Sequence, residues 1–201
     1  MSSPLWIKIC GLTTPEGVAA TVRARADAIG FVFAPSKRQV TAQRAKELCA
    51  NVPSSIARVA VFQHPTQAQV DEVLEVFRPD ILQTDIEDLA GMKIPAMRVH
   101  PVVRAGRAVP QPLPSRILFE GPVSGIGMTA DWSLASQLAR RTELILAGGL
   151  NPENVAEAVR LVNPFGVDVS SGVESAPGSK DPALVLRFVS AARESQDVLV
   201  V

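Results

Sequence analysis

Apolar residues in this chain fall into short runs rich in Val, Ile, Leu and Phe, separated by longer amphipathic stretches. The first run, Ile7-Lys8-Ile9-Cys10-Gly11, reads as a buried strand. Strand alternation puts Lys8 and Cys10 on one face and Ile7 and Ile9 on the other. Such a strand needs a polar interior on one side and apolar neighbours on the other. Gly11 lets the backbone turn tightly or lets a ligand come close. A helix follows from Pro15 to Arg25, with Thr13 and Glu16 spaced as a capping box and Pro15 in the first turn. Further strands are expected over Ala28–Phe33, Ile56–Phe62, Ile81–Gln83, Ala96–Val103, Arg116–Glu120, Glu143–Ala147 and Gly166–Ser170. Helices are expected from Thr41 to about Asn51, Thr66 to Phe77, Asp131 to Arg141, Asn151-Pro152 to Val162, and Asp181-Pro182 to about Arg193. One or two helical turns fit Asp85–Met92, and 121–130 reads as a glycine-bearing loop. In the segment 104–115, Pro110, Pro112 and Pro114 rule out a regular helix where one would be due.

Eight strands alternate with about seven helices, and most strands lack simple alternation, as parallel strands covered on both faces do. The pattern predicts one α/β domain over 1–201, a small (β/α)₈ TIM barrel in which a Pro-rich loop replaces the helix after strand five. A doubly wound open sheet is the alternative. Against it, no Gly-rich nucleotide fingerprint follows strand one, and eight strands are many for this length.

Composition narrows the function. Twenty acidic and twenty basic residues give a net charge of zero, and no run of like charge suggests a nucleic-acid footprint. Apolar residues make up 47%, enough for a sizeable core, but no run approaches a membrane span. No basic start followed by an apolar run marks a signal peptide. Cys10 and Cys49 do not suggest a disulfide scaffold, so both are expected to be reduced and the compartment cytoplasmic. Monomer and homodimer both stay open.

In such barrels the active site lies at the carboxyl ends of the strands. That rule gathers Cys10 (strand one), Arg38 (after two), Gln83 and Asp85 (four), Glu120 (six), Gly148-Gly149 (seven), and Asp168, Ser170, Ser171 and Gly172 (eight). Turns after strands seven and eight commonly hold phosphate, and here they offer glycine backbone and serine hydroxyls. The same glycines also fit plain tight turns. Cys10 reads either as a core cysteine or as a proton acceptor, and Glu120 either as a solvated carboxylate or as a proton donor. Lys8 and Asp168 both face the axis from adjacent strands, and each charge is tolerable mainly with the other, which predicts a buried ion pair, structural or substrate-binding. Arg38 is either an exposed loop cation or a fork for a substrate carboxylate. His64 and His100 stand at strand ends without a partner spacing, so no metal site is expected.

The motifs KICGLT (Lys8 to Thr13), DAIGFVFAPSKR (Asp27 to Arg38), LAGGLNPENVAEA (Leu146 to Ala158), GVDVSSGVE (Gly166 to Glu174) and GSKD (Gly178 to Asp181) closely resemble the phosphoribosylanthranilate isomerase family of tryptophan biosynthesis. The resemblance implies an aldose–ketose isomerase that performs the Amadori rearrangement of N-(5-phosphoribosyl)anthranilate to 1-(2-carboxyphenylamino)-1-deoxyribulose 5-phosphate without metal or cofactor. It implies Cys10 as general base and the strand-six carboxylate as general acid. It places Arg38 at the anthranilate carboxylate, Asp168 in the site and the glycine turns on the phosphate. Lys8 and Gln83 join the substrate-binding set.

The chain departs from the family pattern in several places. Glu120 stands where the family usually has Asp, and Asp85 where it has His. The loop Ser124-Gly125-Ile126-Gly127 and the loop before Arg38 are short. Two other readings compete: a noncatalytic phosphosugar-binding barrel, and a Schiff-base aldolase using Lys8.

Overall fold

The computed structural model describes residues 4–122 and 131–197. Eight parallel strands close into a barrel: β1 (Trp6–Cys10), β2 (Ala28–Val32), β3 (Ala57–Val61), β4 (Ile81–Asp85), β5 (Arg98–Arg104), β6 (Arg116–Glu120), β7 (Glu143–Leu146) and β8 (Gly166–Val169). β1 pairs with both β2 and β8, which closes the ring. The helices are α1 (Pro15–Arg23), α2 (Ala42–Leu48), α3 (Gln67–Val76), α4 (Trp132–Ala139), α5 (Val155–Val162) and α6 (Pro182–Asp197). A two-stranded hairpin, β9 (Glu174–Ala176) with β10 (Ser179–Lys180), follows β8. This is the (β/α)₈ architecture that the hydrophobic pattern predicts.

Period-two alternation divides each strand between two environments. Ile7, Ile9, Ile29, Phe31, Leu82, Phe119, Leu146 and Val167 face the helices and form the main core. The opposite face fills the barrel. Ala28, Val59 and Ile81 make one interior cluster, and Val102, Leu118, Ile145 and Ala147 make another, with Trp6 packed against both. Above these apolar layers the interior turns polar, because the inward positions toward the strand ends are Lys8, Cys10, Gln83, Asp85, Arg104, Glu120 and Asp168. Water exclusion at the bottom and polar chemistry at the top are thus written by one alternation.

Several boundaries differ from the sequence expectation. The stretch after β4 is a 3₁₀ turn, Ile86–Gly91, rather than an α-helix. No helix follows β5, as the prolines require. Asn151 does cap, its Oδ1 accepting from the N–H groups of Glu153 and Asn154, but it caps a turn and the regular helix α5 starts only at Val155. β5 reaches one residue beyond the expected Val103, which carries Arg104 out of the presumed loop and into the barrel mouth. His100 is therefore not at a strand end. It is buried inside the barrel, where Trp6 meets it edge-on at 5.4 Å and burial lowers its pKa to about 3, so it stays neutral. Of the expected loop 121–130, residues 123–130 lie outside the described residues.

Candidate active site

The register sets Lys8 directly opposite Asp168 across the β1–β8 seam. Their Nζ and Oδ1 atoms are 2.9 Å apart, and Lys8 is fully buried. The contact is an ion pair by distance, without the angles of a directed hydrogen bond. Burial opposes the Lys8 charge, but Asp168 and Cys10 outweigh it and hold the ammonium above its ordinary pKa. For Cys10 the balance goes the other way. Burial pushes the thiol up, and the pull of Lys8 toward thiolate does not cancel it.

Glycines make room for this pair of side chains. A Cβ on Gly30 of β2 would lie 2.9 Å from both Cys10 Sγ and Lys8 Cε. Gly11 sits at φ +74°, and a Cβ there would lie 2.5 Å from Arg38 Cδ, so the turn after β1 is shaped around Arg38. Gly148 and Gly149 take φ of 88° and 66°, which L-residues adopt at a cost. Gly172 abuts the other turn, since a Cβ there would meet the Leu150 carbonyl oxygen at 1.9 Å.

One cavity of about 230 Å³ opens at the mouth. Its walls include Cys10, Arg38, Gln83, Arg104, Glu120, Asp168 and Ser170. Six of the sequence-predicted residues thus come together. Lys8 lies beneath them, and Gly148, Gly149, Ser171 and Gly172 form the neighbouring β7 and β8 turns rather than the cavity walls.

Arg38 is not idle. Its Nε and Nη2 donate to the two oxygens of Glu174, both at 2.8 Å. Glu174 also accepts from Lys180 Nζ at 2.7 Å, and Lys180 donates to the Ser170 carbonyl at 3.0 Å. Burial would raise the Glu174 pKa, but these two cations hold it below the ordinary carboxylate range. Burial in turn lowers the pKa of Lys180. Sequence reading missed this group, although both residues lie within the stretch GVESAPGSK.

It missed Arg104 as well. One end of this guanidinium, Nη1, donates to Glu120 Oε1 and the other, Nη2, to Asp85 Oδ1, each at 2.6 Å. The signal was available: His100, Val102 and Arg104 share one face of β5 by alternation. His64, after β3, has Nδ1 2.8 Å from Asp88 Oδ1 and Nε2 3.7 Å from Asp85 Oδ2. The hydrogen bond to Asp88 raises the His64 pKa.

The raised pKa of Cys10 has a direct test. Alkylation by iodoacetamide follows the thiolate, so the rate at Cys10 is expected to be slow near neutrality and to climb about tenfold per pH unit. Its midpoint should lie above the ordinary thiol value of 9.0. Peptide mass spectrometry separates Cys10 from Cys49, whose burial pushes it to about 12. A Cys10 midpoint at or below 9.0 would mean that Lys8 outweighs burial at the thiol.

A closed parallel barrel with a thiol, carboxylates and guanidinium groups round one cavity at the strand carboxyl ends is a (β/α)₈-barrel enzyme. Residues 7–191 match the family model of N-(5'-phosphoribosyl)anthranilate (PRA) isomerase. A relative of that name from Streptococcus pneumoniae (strain Hungary19A-6) is 39% identical over 186 residues, covering 91% of this chain and 93% of its own. Among solved structures, TrpF from Jonesia denitrificans superposes with a TM-score of 0.80 at 36% identity, covering 96% of this chain and 98% of its own. A phosphoribosyl anthranilate isomerase in complex with reduced 1-(o-carboxyphenylamino)-1-deoxyribulose 5-phosphate gives a TM-score of 0.78 at 31% identity, covering 94% of this chain and 99% of its own. The chain belongs to the N-(5'-phosphoribosyl)anthranilate isomerase family, isomerases of tryptophan biosynthesis. Among the described residues no helix is long and apolar enough to cross a membrane.

Proposed function

We propose that the chain performs the Amadori rearrangement of N-(5-phosphoribosyl)anthranilate with Cys10 as general base and Glu120 as general acid. The observation that carries this reading is that Cys10 and Glu120, from the non-adjacent strands β1 and β6, wall one cavity about the size of a small substrate. Glu120 gives its proton to the furanose ring oxygen. The C1–O bond breaks as the anthranilate nitrogen lone pair moves in, leaving a protonated Schiff base. Beside this cation the Cys10 thiol gives up its proton to solvent, to be regained at the end of the cycle, and the thiolate removes the C2 proton while the electrons flow to the nitrogen to give a neutral enolamine. The enolamine becomes the ketone when O2 loses a proton and C1 gains one, so both side chains return to their starting states.

The phosphate binds at the turns of Gly148-Gly149 and Ser170-Ser171-Gly172, next to the cavity wall formed by Ser170. Asp168 and Gln83 bind the sugar. Arg38 reaches the substrate through Nη1, because its other edge is on Glu174. Lys8 supports the site electrostatically from below. Its burial against Asp168 weighs against a Schiff base on this lysine.

The purified protein should turn over N-(5-phosphoribosyl)anthranilate, and its gene should rescue a tryptophan auxotroph lacking this step. Failure on both counts with a folded protein would remove the reading and favour a binding barrel.

A further inference from the structure

A carboxylic acid that donates a proton must first hold one. Yet Glu120 sits 2.6 Å from a guanidinium, a neighbour that favours the ionised form. The partner's other contact resolves this conflict. Arg104 is divided between two carboxylates, Glu120 through Nη1 and Asp85 through Nη2. All three side chains are largely withdrawn from water, with exposures of 11%, 14% and 4% for Arg104, Glu120 and Asp85.

Elsewhere round the mouth the charges match more generously. Asp168 faces Lys8, and Glu174 has both Arg38 and Lys180. The Asp85–Arg104–Glu120 cluster carries two negative charges against one positive. When an anionic substrate enters, the added repulsion falls hardest on such a cluster, and a proton taken up there relieves it. Asp85 has a second basic neighbour besides Arg104. Its second oxygen faces His64 Nε2 at 3.7 Å, and Asp88 holds His64 toward the charged form. The proton therefore goes to Glu120, drawn from solvent.

We propose that Asp85 is a positioning residue for the acid: by taking half of the Arg104 guanidinium it leaves Glu120 able to carry a proton. Arg104 fixes the direction of the longer Glu side chain, and Asp85 limits how strongly that cation disfavours the protonated form. The inference rests on the reading of Glu120 as the acid.

Among the described residues, the charged and titratable groups that face Glu120 are Arg104 on β5, Asp85 on β4 with His64 and Asp88 behind it, and across the cavity Cys10 on β1, Arg38 after β2 and Asp168 on β8. The segment 123–130 contains no ionisable side chain.

The test is a ¹³C NMR titration of glutamate side-chain carboxyls in protein bound to the reduced product analogue, with the Glu120 signal assigned by its loss in Glu120→Gln. Asp85→Asn, nearly isosteric, gives Arg104 wholly to Glu120. It should lower the Glu120 midpoint by about one pH unit or more and reduce kcat about tenfold per unit. Arg104→Gln removes the cation from between two carboxylates and should move the midpoint up. Shifts of opposite sign support the proposal, since a merely structural role for either residue would not produce them. An unmoved or raised midpoint in Asp85→Asn overturns it even if Arg104→Gln fails to fold. The reading beneath it fails separately, if Glu120→Gln turns over like the wild type.

Discussion

Replacing Cys10 by Ala is expected to lower kcat by about 10²–10⁴-fold, the usual contribution of a positioned acid or base, equivalent to about 3–5 kcal/mol of barrier. The thiol is 6% exposed and stands at the cavity wall above Lys8. Burial disfavours its thiolate in the free enzyme. The order of steps in the proposed reaction supplies what the protein withholds. Ring opening creates a protonated Schiff base, a cation beside the sulfur, which lowers the thiol pKa and acidifies the C2 proton together. Glu120→Gln should therefore fall in the same range as Cys10→Ala, because the acid step precedes the base step. The double variant should be little worse than either single one, since residues acting in one sequence are not additive. Cys10→Ala removes one sulfur from a rim position and should cost about 1 kcal/mol of stability, so the loss is separable from unfolding. Steady-state kinetics with urea denaturation in parallel measures both. A Cys10→Ala enzyme within about threefold of wild type would remove the thiol from the mechanism.

The sequence carried the fold because the barrel strands are marked twice, by β-branched runs and by punctuation with Gly, Pro and capping residues. It also carried the address of Lys8 and Asp168. Two charges on inward faces of the first and last strands of a closed barrel have only each other at that level, and the register puts them opposite. Legibility ran out where a contact depends on how long side chains reach across the mouth. Arg38 reads as an exposed loop cation or a substrate fork, and neither reading contains the hairpin after β8, which brings Glu174 onto its Nε and Nη2. A hairpin as short as β9–β10 has too few residues to show a period. Arg104 was hidden by a boundary error of one residue, and the two carboxylates it joins come from β4 and β6, whose depth along the axis no single strand states. The substitution of Asp85 for the family's usual His was visible. Its meaning was not, because it depends on the guanidinium between it and Glu120.

Lys8→Met is expected to destabilise the protein by about 3–5 kcal/mol, the cost of leaving one member of a buried ion pair without the other. Met fills nearly the same volume, and the space over Gly30 that holds Lys8 Cε remains filled, so a cavity contributes little. What remains is an Asp168 carboxylate, 8% exposed, with no ammonium 2.9 Å away. The sign with pH is fixed by the direction of the Lys8 shift. Its pKa in the fold lies above the ordinary 10.5, so its contribution is fully present below that value. It is lost only as pH rises through the raised value, and the deficit of Lys8→Met should therefore be flat across neutral pH. Adding Asp168→Leu should recover most of the stability, because a buried pair replaced as a whole by apolar groups is often neutral. Activity should not return with it, since the doubly changed site lacks both the ammonium beside Cys10 and the carboxylate in the cavity. Urea midpoints at constant m-value read the stability, and turnover reads the site. A single Lys8→Met variant as stable as wild type would mean that the pair contributes nothing to the barrel. Recovery of both stability and turnover in the double variant would mean that it contributes nothing to the chemistry.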